Sequence, residues 1–475
     1  GTTTFTDGTV ILGKVGALGT GTFAFNGGFL EATTDLTGGN RLTNALQFNN
    51  SPTVVQGSQS IEFGSATATT MGAGRLLINN ISGVGKQLIF SSNITNTAAA
   101  VLTIAGTGNT LISGLVTTGS GAQGIANSGT GTITLTAANN ATGALTANRG
   151  LTVLSGANGA WTAGTFTLNS NGTLQLDNSG TNNDNRLSNT GVITFNGGIL
   201  HLIGNGTTEA AGALTVNGIM GTINMTGSGS NTLSFGTVNF ANSGSSLDLS
   251  SISGLGTTNK VLFSAIQVAT VAYTNPILPR MMILGDFARY DTTDGVMAFS
   301  GYNMTNDLNA AAATDTMEVT ESVGLTANRV LNALKIEGSN LIVGTAGRNL
   351  TLTAGALLNT GTIGTSNTFT GGQLILTQQG WIQVDPGTTL NMNAAIVGNT
   401  INKVGAGTLN INTRTYHNTT TNISGGMVVL DGGLNTLFAN GTAAPGQVTL
   451  DVGATLDLNG NTQYVGALTN SGASL

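Results

Sequence analysis

The acidic residues whose spacing could support chemistry are most crowded at Asp286, Asp291 and Asp294. Arg289 and Tyr290 lie between them, and paired carboxylates beside such groups are what acid–base hydrolysis of sugars requires. Asp is also a common turn residue, and Asp294 directly precedes a glycine. Carboxylate oxygens would suit calcium, although no ligand loop of recognised spacing is present. We expect turn residues here, with a catalytic group and a calcium site as the alternatives.

Two further acidic pairs are more widely spaced. Asp177 and Asp184 flank an oxygen-rich loop, for which a solvated turn is expected and a metal site is the alternative. Glu318 and Glu321 lie in a polar stretch, and we expect both to face solvent. We therefore predict no catalytic, cofactor-binding or metal-binding residue in these pairs, and no cofactor.

The two histidines and two tryptophans are also predicted to be structural. His201 stands between two leucines in a strand pattern, which predicts an outward-facing strand residue. His417 follows Tyr416 at a presumed corner and is predicted to be a loop residue. Trp161 and Trp381 could stack on sugars, but we expect them to fill space. No serine has a recognisable nucleophile setting, so we predict that the protein is not an enzyme.

Composition excludes several classes of protein. Only 7% of the 475 residues are charged, against about 25% in ordinary soluble domains. Disordered chains combine low hydrophobicity with high net charge, whereas 39% of this chain is hydrophobic, so we predict an ordered protein. The 72 glycines follow no three-residue period, which excludes collagen.

Charge and cysteine content limit the partners. The formal net charge is -6 and the 14 basic residues form no patch, so nucleic acid is not an expected partner. The absence of Cys and the presence of only two His leave little thiol or transition-metal chemistry. No apolar run of about 18 residues occurs, so we expect no membrane insertion by these residues. Gly1 is followed by no basic and apolar leader, which favours a mature or excised piece.

Apolar and polar residues alternate along much of the chain, for example in Thr173–Asp177 and Thr455–Asn459. The phrases Gly21–Leu30 and Gly191–Leu200 share this alternation, then break at Asn-Gly-Gly, then resume with an apolar pair. A period of two predicts half-buried strands, and the Asn-Gly and Gly-Gly pairs predict corners with positive φ. Near-copies of these phrases throughout the chain predict a repeat array.

Such strands could build a hairpin array, a propeller or a parallel solenoid. Propeller blades carry aromatic signatures, and aromatic residues make up only 5% of this chain. A sandwich would expose edges that need Lys or Pro, and both are scarce. In a parallel solenoid, like side chains stack about 4.8 Å apart, which disfavours charge and favours Asn, Thr and Val. We therefore predict an all-β, parallel β-helix or β-solenoid of about 20 coils.

Residues 260–319 depart from this pattern, because glycine thins out and two of the five prolines lie there. We predict irregular coils or an insertion within the array, with a small separate domain as the alternative. The predicted organisation is therefore solenoid coils in 1–259, the irregular region in 260–319, and further coils in 320–475.

The C-terminal third resembles a known repeat. Lys403–Ile411 reads K-V-G-A-G-T-L-N-I, Thr415 and Tyr416 follow, and Thr421–Leu430 reads T-N-I-S-G-G-M-V-V-L. These phrases are similar to the autotransporter-associated β-strand repeat, except that Arg414 stands where Asn is usual. The resemblance implies a secreted or cell-surface bacterial protein with a right-handed β-helix, in which such repeats form one segment of a longer chain.

Together these observations predict an extracellular structural protein that forms, or belongs to, a fibre or surface layer. The expected partner is the protein itself, through head-to-tail stacking of coils or lateral association. An adhesin or carbohydrate-binding module that contacts surface glycans is the alternative. A polysaccharide-degrading enzyme ranks third.

Overall fold

The computed structural model describes residues 1–218, 220–439 and 446–470. The chain is all-β, and successive parallel coils stack into a β-solenoid of about 20 turns. This confirms the predicted fold class, whereas the hand of the coils stays a prediction. The described residues contain no α-helix, and their one 3-10 helix is the short turn Gly38–Asn40.

The strands form where the sequence alternates between apolar and polar residues. In Gly172–Asp177, Leu174 and Leu176 are buried, whereas the alternate residues Thr173, Gln175 and Asp177 are half-buried. Leu176 pairs in parallel with Leu154 in the preceding coil and with Leu202 in the next. All three leucines are 0% exposed, so like side chains form a dry inward-facing column. Burying each such side chain stabilises the fold by roughly 1.5–3 kcal/mol.

The corners between strands use the Asn-Gly-Gly phrases, as predicted. Gly28 has a φ of 75° and Gly197 a φ of 102°, which L-residues with a side chain rarely adopt. A Cβ on Gly28 would also lie 2.7 Å from the carbonyl oxygen of Gly8 in the preceding coil. Glycine is therefore required at this corner for both its backbone conformation and the close approach of the next coil.

The chain divides into two compact units. Unit 1 comprises Gly1–Thr215, Ile223–Val238 and Thr257–Ala265, and unit 2 comprises Val216–Thr222, Asn239–Gly256 and Ile266–Leu475. Four strands contribute residues to both units: Leu214–Val216, Met220–Ser228, Asn231–Phe240 and Asn259–Val268. The predicted division at residues 260 and 320 stays a prediction, and its last range includes 440–445 and 471–475, which lie outside the described residues.

Unit 1 has three rows of short parallel strands. One row contains Thr2–Phe5, Thr22–Phe25, Leu46–Phe48, Thr69–Met71 and Ile94–Asn96, and further along Ala138–Asn139 and Ala160–Trp161. The second contains Thr9–Leu12, Phe29–Ala32, Thr53–Gly57, Arg75–Ile81, Ala100–Ala105, Gln123–Asn127, Leu145–Ala147, Phe166–Asn169 and Ile193–Asn196, and continues through Leu214–Val216, Asn231–Phe240 and Asn259–Val268. Thr208–Ala210 lies off this row and pairs with Asn231–Phe240. The third contains Ile61–Phe63, Gln87–Phe90, Asn109–Ile112, Ile133–Leu135, Gly150–Leu154, Gly172–Asp177 and Ile199–Asn205.

Unit 2 contains a second stack of parallel coils. Its strands are Thr316–Val319, Val323–Gly324, Arg329–Glu337, Ile342–Gly344, Asn349–Thr360, Ser366–Leu376, Gly380–Val384, Thr389–Gly398, Ile401–Val404, Thr408–Ile411, Thr415–His417, Thr420–Ile423, Met427–Leu430, Leu437–Ala439, Gln447–Leu450, Thr455–Asp457 and Ala467–Asn470. One inward-facing column runs through Met317, Leu334, Leu357 and Ile382, which are all 0% exposed.

A lateral segment, residues 266–299, packs on these coils within unit 2. Its Ile277 and Phe287 form one buried cluster with Ala333 and Ala356. These two alanines precede inward-facing leucines, so they present small side chains on the outer face where the segment can approach closely. The segment therefore does not extend the inner core; it covers the outer face of the strands.

The lateral segment contributes to two antiparallel pairs and also supplies one parallel strand. Val271–Ala272 pairs back on the end of Asn259–Val268, and Ala288–Asp291 pairs with Gly295–Ala298. Met281–Met282 joins Ser246–Asp248 in parallel. This irregular stretch falls inside the region where the sequence loses its glycine-rich repeat.

Candidate functional site

Lys335 is the centre of a charged cluster in unit 2. Its Nζ lies 2.8 Å from Asp286 Oδ1, 2.5 Å from Glu337 Oε2 and 3.7 Å from Glu318 Oε2. The ammonium group also lies 5.0 Å from the centre of the Tyr302 ring. Because the Lys335 side chain is only 5% exposed, these groups replace water as the partners of its ammonium group.

Coil stacking brings this cluster together. Glu318 in Thr316–Val319 pairs in register with Lys335 in Arg329–Glu337, one coil later. Both side chains stand on the outer face, and Asp286 approaches from the lateral segment. The cluster therefore ties the lateral segment to the coils.

Hydrogen bonding sets the protonation of the cluster. Burial alone lowers the pKa of Lys335, but hydrogen bonds to Asp286 and Glu337 outweigh it and hold this pKa above its ordinary value. Burial raises the pKa of Glu318, and its hydrogen bond with Glu337 adds to that rise. Burial also raises the pKa of Tyr302, so neither the ammonium nor the phenol is a ready base near neutral pH. The arrangement is therefore a buried ion-pair network that holds Asp286 against the coils.

The predicted acidic group at 286–294 is mostly a turn. Asp291 Oδ1 accepts hydrogen bonds from the backbone N–H of Thr293 at 2.8 Å and of Asp294 at 3.0 Å, which confirms its turn role. Arg289 Nε donates to the carbonyl of Ala298, across the same hairpin, at 3.3 Å. Tyr290 is a half-buried residue of the Ala288–Asp291 strand.

The oxygen-rich loop after Asp177 encloses a guanidinium group. Arg186 is 0% exposed, and its Nε donates to Asn178 Oδ1 at 2.5 Å. Its Nη2 donates to the carbonyls of Asp177 at 2.7 Å and Thr181 at 3.1 Å. Its Nη1 donates to the Gly159 carbonyl at 2.6 Å. The loop oxygens thus surround a cation that the chain itself supplies.

Glu209 lies buried on the other side of the same corner. Its carboxylate accepts hydrogen bonds from the backbone N–H of Arg186 at 2.9 Å and of Leu187 at 3.2 Å. Burial raises the pKa of Glu209 to about 7, against these hydrogen bonds. Asp184 is exposed in its turn, as predicted, and its Oδ1 accepts from the Thr208 N–H at 2.9 Å. Across the described residues, no group of three or more His, Cys, Asp and Glu could hold a metal ion.

Two predictions for titratable residues are wrong. Glu318 is only 7% exposed, with its Oε2 3.7 Å from Lys335 Nζ, whereas Glu321 faces solvent as predicted. His417 is not a loop residue: it ends the strand Thr415–His417 and is 1% exposed. It stays in the strand because it pairs with Gly398 of the preceding coil.

The ring of His417 is held between two hydroxyls. Its Nδ1 lies 3.1 Å from Thr415 Oγ1, and its Nε2 lies 3.1 Å from Thr421 Oγ1. Burial lowers the pKa of His417 to about 4, so the ring is neutral at physiological pH. His201 is a half-buried residue of Ile199–Asn205, as predicted, with Nε2 2.8 Å from Thr226 Oγ1.

Both tryptophans fill space, as predicted. Trp161 is 0% exposed, and its Nε1 donates to the Gly143 carbonyl at 3.1 Å. Trp381 is 4% exposed and packs with Met282 and Val404. Neither ring is an open platform on which a sugar could stack.

Lys403, the first residue of the repeat phrase, points inward. It pairs with Ile382 in the preceding coil and Ile423 in the next, so it occupies a rung of the buried aliphatic column. Its Nζ donates to the carbonyls of Gly405 at 2.6 Å and Gly425 at 2.9 Å. Burial lowers the pKa of Lys403 to about 7. The lysine therefore closes the corners of two successive coils from inside.

Sequence reasoning missed the two residues that organise these clusters in unit 2 and unit 1, Lys335 and Glu209. Each lies in an ordinary strand pattern and meets its partners only through coil register. Arg186 carried a weak signal, because a basic residue directly follows a loop rich in Asn and Asp oxygens.

No helix among the described residues is long and apolar enough to cross a bilayer. No family model matches the chain, and neither the curated proteins nor the solved structures contain a match.

Proposed function

We propose that this chain is a non-enzymatic structural β-solenoid that forms, or belongs to, a fibre or surface layer outside a bacterial cell. The observation that carries the proposal is that buried ionisable side chains bind backbone groups of the coils. Arg186 and Lys403 each direct their donors at backbone carbonyls of successive coils, and Glu209 accepts from two backbone N–H groups. These charged groups serve to close coils.

A side-chain ladder also links successive coils of unit 1. In unit 1, Asn196 Nδ2 donates to Asn169 Oδ1 at 2.8 Å, and Asn169 Nδ2 donates to Asn148 Oδ1 at 2.5 Å. Asn148 Nδ2 continues to Ser128 Oγ at 2.9 Å. Four successive coils are thus linked by amide hydrogen bonds in addition to their backbone ladders, which suits a load-bearing element.

Growth of the assembly would use open coil edges. Thr2–Phe5 and Thr9–Leu12 end their sheets in unit 1, and Ala467–Asn470 ends the sheet of unit 2. Leu468 pairs with Val448, which is 2% exposed, yet Leu468 itself is 62% exposed. A further coil placed on this edge would bury Leu468. That coil would come from a second copy or from flanking repeats.

Sedimentation velocity on the 475-residue chain tests association between copies. We expect wild-type protein to form larger species as concentration rises, because each copy that adds to an edge presents an equivalent edge to the next copy. Leu468→Lys places a charge on the edge and should suppress them. Val84→Lys is the matched control, since Val84 is 100% exposed within a coil, and it should behave as wild type. Wild-type protein that stays monomeric at its solubility limit would refute association between copies.

The extracellular location rests on the resemblance of the Lys403–Leu430 phrases to autotransporter-associated repeats. Labelling intact cells of the source bacterium with an antibody to this chain tests it. Labelling that requires permeabilised cells would refute a surface location.

A further inference from the structure

A cleft of about 670 Å³ lies within unit 2, between the lateral segment and the outer face of the coils. Six of the residues that line it supply most of its polar and aromatic groups: Tyr273, Asn275, Thr353, Arg280, Gln379 and Trp381. A volume of this size is within the range of small-molecule sites in proteins, which is roughly 300–1,000 Å³.

Arg280 is fixed at this cleft by two aromatic rings. Its Cζ lies 5.0 Å from the centre of the Trp381 ring and 5.7 Å from that of Phe240. The residue is only 6% exposed. A guanidinium packed on two aromatic rings keeps its charge and has little rotamer freedom left to lose on binding a ligand.

The hydrogen bonds of Arg280 are incomplete. Its Nη1 donates to the carbonyls of Asn242 at 3.0 Å and Ser245 at 2.8 Å, and its Nη2 donates to Gln379 Oε1. A guanidinium has five N–H groups. Among the described residues, none accepts a hydrogen bond from the Nε–H or the second Nη2–H of Arg280.

The positive charge of Arg280 is likewise uncompensated. None of the described residues forms an ion pair with it, whereas Lys335 in the same unit has three carboxylate partners. Burial lowers the pKa of Arg280 to about 10, which still leaves it charged at neutral pH. Burial raises the pKa of Tyr273 to about 12, so its phenol stays protonated. A buried cation without a counter-ion favours an anion from outside.

We propose that this cleft binds a sugar acid, with the free N–H groups of Arg280 holding the ligand carboxylate. The Gln379 Nε2 and the Thr353 hydroxyl also line the cleft and supply a donor and an acceptor for sugar hydroxyl groups, whereas the Asn275 amide is already paired with Asn332. The cleft accommodates one or two sugar rings. Binding does not depend on ring stacking, because Trp381 lies beneath Arg280 and is nearly fully buried.

Isothermal titration calorimetry with glucuronate, glucose, acetate and sulfate tests the proposal on the full chain. We expect glucuronate to bind at least about tenfold more tightly than the other three, because only it offers both a carboxylate and sugar hydroxyls. An oligouronide is the further arm: tighter binding than glucuronate identifies an acidic polysaccharide as the source, and equal binding identifies the free sugar acid.

Two variants locate the site. Arg280→Lys keeps the charge and loses the planar fork, so glucuronate affinity should fall about tenfold or more. Because Arg280 also anchors two carbonyls, Ala272→Trp provides an independent test: it fills the cleft from an exposed position and should abolish binding. Ala313→Trp, at an exposed alanine outside the cleft, should bind as wild type.

The proposal is overturned if glucuronate does not bind, if glucose binds as tightly, or if acetate or sulfate does. Unchanged glucuronate binding by Ala272→Trp would also overturn it, because the ligand would then lie elsewhere.

Discussion

Lys403 occupies the rung directly after Ile382 in one inward-facing column of unit 2. An ammonium group thus occupies a position where neighbouring coils have aliphatic side chains, and it donates hydrogen bonds to the carbonyl oxygens of Gly405 and Gly425. The arrangement gives a physical reason for the K-x-G phrase. Gly405 has a φ of 79°, and a Cβ there would lie 2.3 Å from the Val384 carbonyl oxygen. Glycine lets the corner fold back onto the lysine.

Removing this lysine should change how stability depends on pH. The pKa of Lys403 is about 7 when folded, against 10.5 for an ordinary lysine. Between these values the unfolded chain binds a proton that the folded chain has lost, so the free energy of unfolding rises with pH, by about 1.4 kcal/mol per unit. In urea unfolding between pH 7 and 10, the free energy of unfolding of Lys403→Met should therefore not show this rise. The exposed Lys14→Met should keep it, and parallel curves for wild type and Lys403→Met would contradict the assignment.

Glu209 should make the free energy of unfolding fall as pH rises, and it should do so at lower pH than Lys403. Its pKa is about 7 when folded, against 4.5 ordinarily, so the folded chain holds a proton that the unfolded chain has released. Its contribution to stability is full below pH 4.5 and is lost as pH rises through 7, at about 1.4 kcal/mol per unit. Glu209→Gln keeps an acceptor oxygen and removes the titration, so its unfolding midpoint should vary less between pH 5 and 7. Glu321→Gln is the control, and an equal effect of both would contradict the prediction.

Arg186→Met should be strongly destabilising. Arg186 is fully buried and satisfies three carbonyls in two segments, those of Gly156 and Gly159 and that of Asp177, which methionine cannot do. Leaving several buried carbonyls unpaired should cost about 3–5 kcal/mol in unfolding free energy. Arg149→Met, at an exposed arginine, should change it by less than about 0.5 kcal/mol. Equal denaturant midpoints for the two variants would show that the guanidinium is not needed to hold the corner.

Replacing the buried amide of Asn139 should also destabilise the fold. Its Oδ1 accepts from the Val116 N–H at 2.8 Å, and its Nδ2 donates to the Ala160 carbonyl at 2.9 Å, so it links three successive coils. Asn139→Ala should cost about 2–4 kcal/mol, because it strands one donor and one acceptor in the interior. The neighbouring Asn140 is exposed, and Asn140→Ala should be close to neutral in thermal unfolding. A small effect at Asn139 would mean that water replaces the amide.

The fold was predictable because two local signals agree. Alternation in stretches such as Thr173–Asp177 sets which side chains turn inward, and glycines such as Gly28 and Gly197 set the corners. Both signals act within a few residues, so one sequence carries them in full. Low charge then selects stacking in parallel over other arrays.

The candidate site was not predictable, because it depends on coil register. Glu318 and Lys335 meet only because one particular pairing of coils places them opposite each other. Alternation specifies the face of a residue but not its partner in the next coil. Asp286 reaches Lys335 only through the lateral segment, whose docking on small outward side chains such as Ala333 has no periodic signal. His417 was misplaced for the same reason, since its pairing with Gly398 extends a strand where a corner was expected.

Fibre diffraction from aligned assemblies of the purified chain tests the central claim most directly. Head-to-tail stacking of coils places strands across the fibre, so we expect a meridional reflection at about 4.8 Å that Leu468→Lys protein does not produce. A reflection at this spacing on the equator would show lateral association instead. Assemblies of Leu468→Lys that diffract as wild type, or discrete particles in both preparations, would contradict growth through coil edges.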